Sequence, residues 1–219
     1  MLVVAAWEPE LERFRELVRA APGVDLALEA APVGIGLVDA AAGLTRRIAA
    51  RAPGLVVFVG TCGASPSSGL GIGDVVAGTS VRLVDSAVVE GRAAMPFAAE
   101  AIDLDVAARD ASIAAGARAA TIANTLGVTT DDALATKLAP FGEVEHLEAY
   151  GVARACRLAS AEDAPVRCAI VLGVANVVGG EGRAAWRANH VAASARAAEV
   201  AWAALDGVVR RSTTRRSPA

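Results

Sequence analysis

The sequence predicts a single α/β domain, and three observations carry that reading. Short apolar, β-branched runs alternate along the chain with segments whose apolar residues recur at helical spacing. The 219 residues are enough for one full core and require no second domain. The third observation is the stretch 55–76, where Leu55-Val56-Val57-Phe58-Val59 empties into Gly60-Thr61-Cys62-Gly63-Ala64 and restarts after Ser65-Pro66-Ser67-Ser68 as Gly71-Ile72-Gly73-Asp74. A buried strand ending in small residues leaves backbone N–H groups at its carboxyl end, where open α/β sheets gather ligands.

The elements follow in order. Residues 2–6 read as a first strand, and 10–20 as a helix with Leu11, Phe14, Leu17 and Val18 on one face. A short strand is expected over 26–30, then Pro32-Val33-Gly34-Ile35-Gly36 and an alanine-rich helix over 37–50. The central strand occupies 55–59. Further strands are expected at 75–81 and 86–89, with a turn around 83–85, and 92–105 reads as an irregular surface excursion. Helix 106–118, strand 119–126 and a short helix 131–138 capped by Thr130 come next. A long helix over 145–159, a buried strand over 166–174 and a helix over 183–205 complete the domain, 1–207. The remaining 208–219, rich in arginine, reads as a basic tail expected to be disordered.

Composition narrows the function classes. With 21 Lys+Arg against 24 Asp+Glu the net charge is -3, which favours neither nucleic acid nor an anionic membrane and points to a small neutral or mildly polar ligand. Cys62, Cys156 and Cys168 are odd in number and embedded in apolar sequence, which argues against a disulfide framework or zinc site and suits a reducing cytoplasm. The first residues lack a basic leader and meet Glu8-Pro9 at once, and no uninterrupted apolar run is long enough to span a bilayer.

Four segments together resemble the nucleoside phosphorylase and nucleosidase superfamily, whose members break N-glycosidic bonds of nucleosides. They are Val3-Val4-Ala5-Ala6-Trp7-Glu8-Pro9-Glu10-Leu11, Val33-Gly34-Ile35-Gly36-Leu37-Val38-Asp39, Gly60-Thr61-Cys62-Gly63-Ala64 with Gly73-Asp74-Val75-Val76, and Val144-Glu145-His146-Leu147-Glu148-Ala149. They occur in the family's order and span most of the chain. Ala64-Ser65-Pro66-Ser67-Ser68-Gly69-Leu70 and Ala175-Asn176-Val177-Val178-Gly179 with Arg183-Ala184-Ala185-Trp186 resemble a branch similar to the futalosine hydrolases, enzymes of an alternative menaquinone route. The resemblance implies a mixed central β-sheet between helices, a three-layer α/β/α domain. It also implies a homodimer or higher homo-oligomer, a nucleoside substrate, and no metal or organic cofactor.

Cleaving an N-riboside builds positive charge on the sugar and negative charge on the departing base, so a site must hold the ribose, activate a nucleophile and neutralise the base. The resemblance assigns Glu10 to water activation; the bland alternative is an acid favoured near a helix amino terminus. Glu148 matches the glutamate that accepts from the ribose 2′ and 3′ hydroxyls, a task suited to two acceptor oxygens, against the alternative of an exposed helix acid. Asn176 stands where relatives carry an aspartate that protonates the base. An amide can hydrogen-bond there without donating a proton, so either the base is a 6-oxopurine or activity has been lost.

Thr61, Cys62, Gly63, Leu147 and Trp186 are the further substrate-binding candidates, with turn capping the alternative for Thr61 and core packing for Trp186. Phe58 lies near the place of a phosphate-binding arginine in phosphorylases, and its apolar ring favours water as nucleophile. Asp131 and Asp132 match a rim motif loosely, and helix capping explains them. His146 and His190 have no partner at metal spacing. Arg183 either takes a distal carboxylate or faces solvent. The expected activity is hydrolysis of a purine N-riboside, with phosphorolysis or a catalytically impaired nucleoside-binding protein as alternatives.

Overall fold

The structure is a computed structural model that describes residues 1–21, 28–96 and 100–214. Eight strands form one mixed sheet: β1 (Leu2–Ala5), β2 (Glu29–Pro32), β3 (Leu55–Ala64), β4 (Val75–Leu83), β5 (Ile102–Asp103), β6 (Arg118–Asn124), β7 (Val144–His146) and β8 (Arg167–Val177). The helices are α1 (Glu12–Ala20), α2 (Leu37–Arg51), α3 (Ser86–Val89), α4 (Val106–Ala114), α5 (Asp132–Leu138), α6 (Ala149–Ala159) and α7 (Gly182–Thr214).

β3 organises the sheet. It pairs in parallel with β8 along its whole length, in parallel with β1 at Val56, Val57 and Phe58, and antiparallel with β7 at Gly63 and Ala64. The pairings β7 with β6, β6 with β4 and β4 with β8 then close a circuit back to β3. One half of β3 therefore sits in an open parallel sheet and the other in a barrel-like turn.

Both sheet faces are covered, which is why β3 reads as an unbroken apolar run. Its side chains alternate. Val56, Phe58 and Cys62 join Ile170, Leu172 and Val174 of β8 under Leu44 and Ile48 of α2 and Val152 and Cys156 of α6. Val57 and Val59 face the opposite way, against Leu11, Phe14 of α1, and Ala197, Ala201 and Leu205 of α7. Alanine lets α7 approach closely: a Cβ on Gly173 of β8 would lie 2.0 Å from the carbonyl oxygen of Ala193. Large side chains would hold that helix off the sheet.

Several boundaries differ from the sequence reading. Residues 60–64 remain in strand, paired with β8 throughout and with β7 at Gly63 and Ala64, where the sequence reading ended the strand at 59. Residues 86–89 form a helical turn because the Asp85 carboxylate accepts from the amides of Ala87 and Val88 at 2.8 and 3.1 Å. Residues 92–105 are not wholly irregular, since Ile102–Asp103 pairs with β4 and Ile102 and Leu104 are buried. Asp131, not Thr130, caps α5, its side chain accepting from the Leu134 amide at 2.7 Å. The helix expected from residue 145 begins at Ala149, preceded by β7; the strand expected to end at 174 continues to Val177; and the last helix reaches Thr214. Pro9 and the acids around it form a 3-10 turn, Glu8–Leu11, ahead of α1. Residues 26 and 27 of the expected second strand, and 215–219, lie outside the described residues. Among the described residues no helix is long and apolar enough to cross a membrane.

Candidate active site

A cavity of about 370 Å³ opens at the carboxyl ends of β1, β3 and β8. Parallel strands deliver side chains to that edge while the helices wall it from solvent. All eight candidate residues line it: Glu10, Thr61, Cys62, Gly63, Leu147, Glu148, Asn176 and Trp186.

Glu10 reaches the cavity from the 3-10 turn after β1, held by its amide on the Trp7 carbonyl at 3.3 Å. Gly60 makes room for it, since a Cβ there would stand 3.2 Å from Glu10 Oε1. The Trp186 indole N–H donates to Thr61 Oγ1 at 3.1 Å, which leaves the hydroxyl proton for Glu10 Oε1 at 3.3 Å. Oε2 is buried and has no partner among the described residues. Burial first, and the charge of Glu148 second, push the Glu10 carboxyl up to about 8.

Glu148 sits at the start of α6, 6% exposed, with Oε1 accepting from the Gly36 amide at 2.7 Å. Gly36 has φ 85, a conformation that favours glycine, and it turns the chain into α2 with its N–H toward the carboxylate. His146 fixes the other side. Its Nδ1 accepts from the amides of Glu148 and Ala149, both at 3.1 Å, so that nitrogen carries no proton. Burial outweighs Glu148 and lowers the imidazole pKa, so the 3.3 Å approach of Nδ1 to Glu148 Oε2 is a contact of a neutral ring and not an ion pair. The ring stands edge-on to Phe58 at 5.3 Å between centroids. His146 thus supports Glu148 from beneath, while Phe58 is a fully buried prop outside the cavity lining.

Asn176 faces the cavity because β3 and β8 shift register between Cys62 and Gly63, which sets Asn176 opposite Gly63. A Cβ on Gly63 would lie 2.9 Å from Asn176 Nδ2, and the amide donates to the Val177 carbonyl at 3.0 Å. Cys62 is a buried wall whose thiol is pushed far above its ordinary value by desolvation. Leu147 lines the cavity while its carbonyl accepts from Asn124 at 3.0 Å. Trp186 and His190 pack edge to face at 4.4 Å, so the indole has both a packing role and a polar one. Asp131 and Asp132 lie away from the lining, and Asp132 Oδ1 accepts from the Gly180 amide at 2.8 Å. Arg183 is exposed at the mouth.

Sequence reasoning missed Glu145, a second acid on the cavity wall. Read as the start of a helix, it is instead the middle residue of β7, opposite Gly63. Thr129 clamps it, with the amide donating to Oε1 at 3.1 Å and the hydroxyl in close contact with Oε2. Burial raises its pKa above the usual carboxylate range despite those bonds. No spacing along the chain marks it, because its place on the wall follows from strand register.

The chain has the fold seen in solved structures of a futalosine hydrolase and of 5′-methylthioadenosine/S-adenosylhomocysteine nucleosidases. Among solved structures it is similar to a mutant futalosine hydrolase of Helicobacter pylori, with TM-score 0.80, 17% identity, and coverage of 94% of this chain and 98% of that one. The 5′-methylthioadenosine/S-adenosylhomocysteine nucleosidase of H. pylori gives TM-score 0.80, 16% identity and coverage of 94% and 97%. That of Neisseria meningitidis, solved with methylthio-immucillin-A, gives 0.78, 21%, and 94% and 98%. No protein-family model and no curated protein matches the sequence.

Proposed function

We propose that this protein hydrolyses the N-glycosidic bond of a purine nucleoside, of the futalosine or another 5′-substituted kind, and releases the free base. The observation that carries this reading is the convergence of Glu10 and Glu148, 138 positions apart in sequence, on one cavity, close enough for the charge of one to raise the pKa of the other. A volume of about 370 Å³ falls within the ordinary range for small-ligand sites.

In this reading the free lone pairs of Glu148 Oε2 accept from the ribose diol, while the Gly36 amide fixes Oε1. Glu10, which lines the cavity, when ionised takes a proton from water as that water attacks C1′. Thr61 and Trp186 orient the carboxylate by the relay described above. Asn176 contributes a hydrogen bond to the base. Water, and not phosphate, is the nucleophile: among the described residues Arg183 is the cationic side chain on the lining, exposed at the mouth, and His146 is neutral.

A second copy of the chain is expected to cover the cavity mouth, where Ile35 and Val128 are 64% and 45% exposed. Three free, buried cysteines support residence in a reducing cytoplasm. The test is base release from futalosine, its 6-amino analogue, methylthioadenosine, adenosylhomocysteine and inosine, with and without phosphate. Release independent of phosphate, abolished in Glu10→Gln and Glu148→Gln, is expected. Phosphate dependence would establish a phosphorylase, and ligand-induced stabilisation without turnover would establish a binding protein.

A further inference from the structure

Asn176 leaves the proposed reaction without a proton donor for the departing base, and the strand pairing places one nearby. Gly63 of β3 is flanked by Asn176 of β8 on one side and by Glu145 of β7 on the other. Cross-strand neighbours at one register project to the same sheet face. Gly63 has no side chain to separate them, and all three residues line the cavity. Thr129 pins both Glu145 oxygens, so the carboxyl has a fixed direction and a partner when it gives up its proton.

We infer that Glu145 is the acid that protonates the leaving base, taking over from the amide on the far side of Gly63. The inference rests on the hydrolase reading above. Burial shifts this carboxyl toward its neutral form, the direction a proton donor needs. As the water oxygen bonds to C1′, the C1′–N bond breaks and its electron pair leaves with the base. The water proton passes to Glu10, and the Glu145 proton passes to a base nitrogen. The sugar, still carrying its 5′ substituent, and the neutral base result, with Glu10 protonated and Glu145 charged. Exchange with solvent through the cavity mouth resets both. Thr129, through its amide and hydroxyl, stabilises the charge that forms on Glu145.

The test compares two leaving groups. A purine must be protonated as it departs, whereas 4-nitrophenolate leaves unaided, so the ratio of kcat/KM for a purine nucleoside to that for 4-nitrophenyl riboside isolates the acid. In Glu145→Gln this ratio is expected to fall roughly 100-fold or more. In Glu10→Gln both activities fall together. Adding Asn176→Asp to Glu145→Gln is expected to recover much of the purine activity, which a structural role for Glu145 would not permit. An equal loss on both substrates, or no loss, overturns the assignment of Glu145 while leaving the hydrolase reading intact. A wild-type protein inert toward both ribosides overturns the hydrolase reading and this assignment with it.

Discussion

Replacing Glu10 by Gln is expected to make the protein more stable as pH rises, even as it removes activity. In the folded chain burial and Glu148 lift the carboxyl from 4.5 to about 8. In the unfolded chain it titrates near its ordinary value. Between those values the folded state binds more protons than the unfolded state, so stability falls as pH rises through that window and levels off above about 8. The full displacement corresponds to roughly 5 kcal/mol at about 1.4 kcal/mol per pH unit. Water entering the cavity screens the charge, so that figure is a ceiling. Gln carries no charge at any pH and also relieves Glu148 of a like-charged neighbour. Urea unfolding of both proteins at intervals from about pH 5 to 9 measures the effect. The difference in unfolding free energy should move in favour of the variant by at least about 2 kcal/mol across the series. A difference that stays constant with pH would refute the account of Glu10 as a desolvated, proton-poised carboxyl.

Other perturbations test the supporting structure. Thr61→Val removes the hydroxyl that links Trp186 to Glu10 and holds its pKa down. The rising limb of the rate profile should therefore shift to higher pH and kcat fall about 10-fold or more with little change in KM; an unmoved limb contradicts the relay. His146→Leu leaves the amides of Glu148 and Ala149 without their acceptor. Chemical denaturation should show a loss of about 2–4 kcal/mol, and a loss below about 0.5 would mean that water replaces the ring. Gly173→Ala drives a methyl onto the Ala193 carbonyl, a backbone atom that cannot rotate aside, and should cost about 3 kcal/mol or more in thermal unfolding. An unchanged melting temperature would contradict the close seating of α7 on β8.

Much of the fold was legible because its signals are local. The apolar run of β3 and the periodicity of α1 and α2 announce elements that any α/β packing would bury. The short apolar run 86–89 was not, because a strand and a helical turn of that length differ only in whether Asp85 caps the first amides. Asn176 was expected after its strand and lies within it, since β3 goes on pairing with β8 beyond Val174, Gly63 with Asn176 and Ala64 with Val177. Glu10, Glu148 and Asn176 could be proposed because they occupy recognisable segments. Glu145 could not: its significance is its register opposite Gly63, which no spacing along the chain reveals. His146 escaped for a related reason. Its neutral, accepting Nδ1 depends on two amides that only the turn into α6 brings together.

The central claim is that one ribose lies between Glu10 and Glu148. A crystal structure with a purine C-nucleoside, whose carbon–carbon glycosidic link cannot be hydrolysed, tests it most directly. The account predicts the 2′ and 3′ hydroxyls within hydrogen-bond distance of the Glu148 carboxylate, C1′ facing Glu10 with room for one water between them, and the base beside Gly63. A ribose bound away from either glutamate, or a cavity that takes no nucleoside, would contradict it.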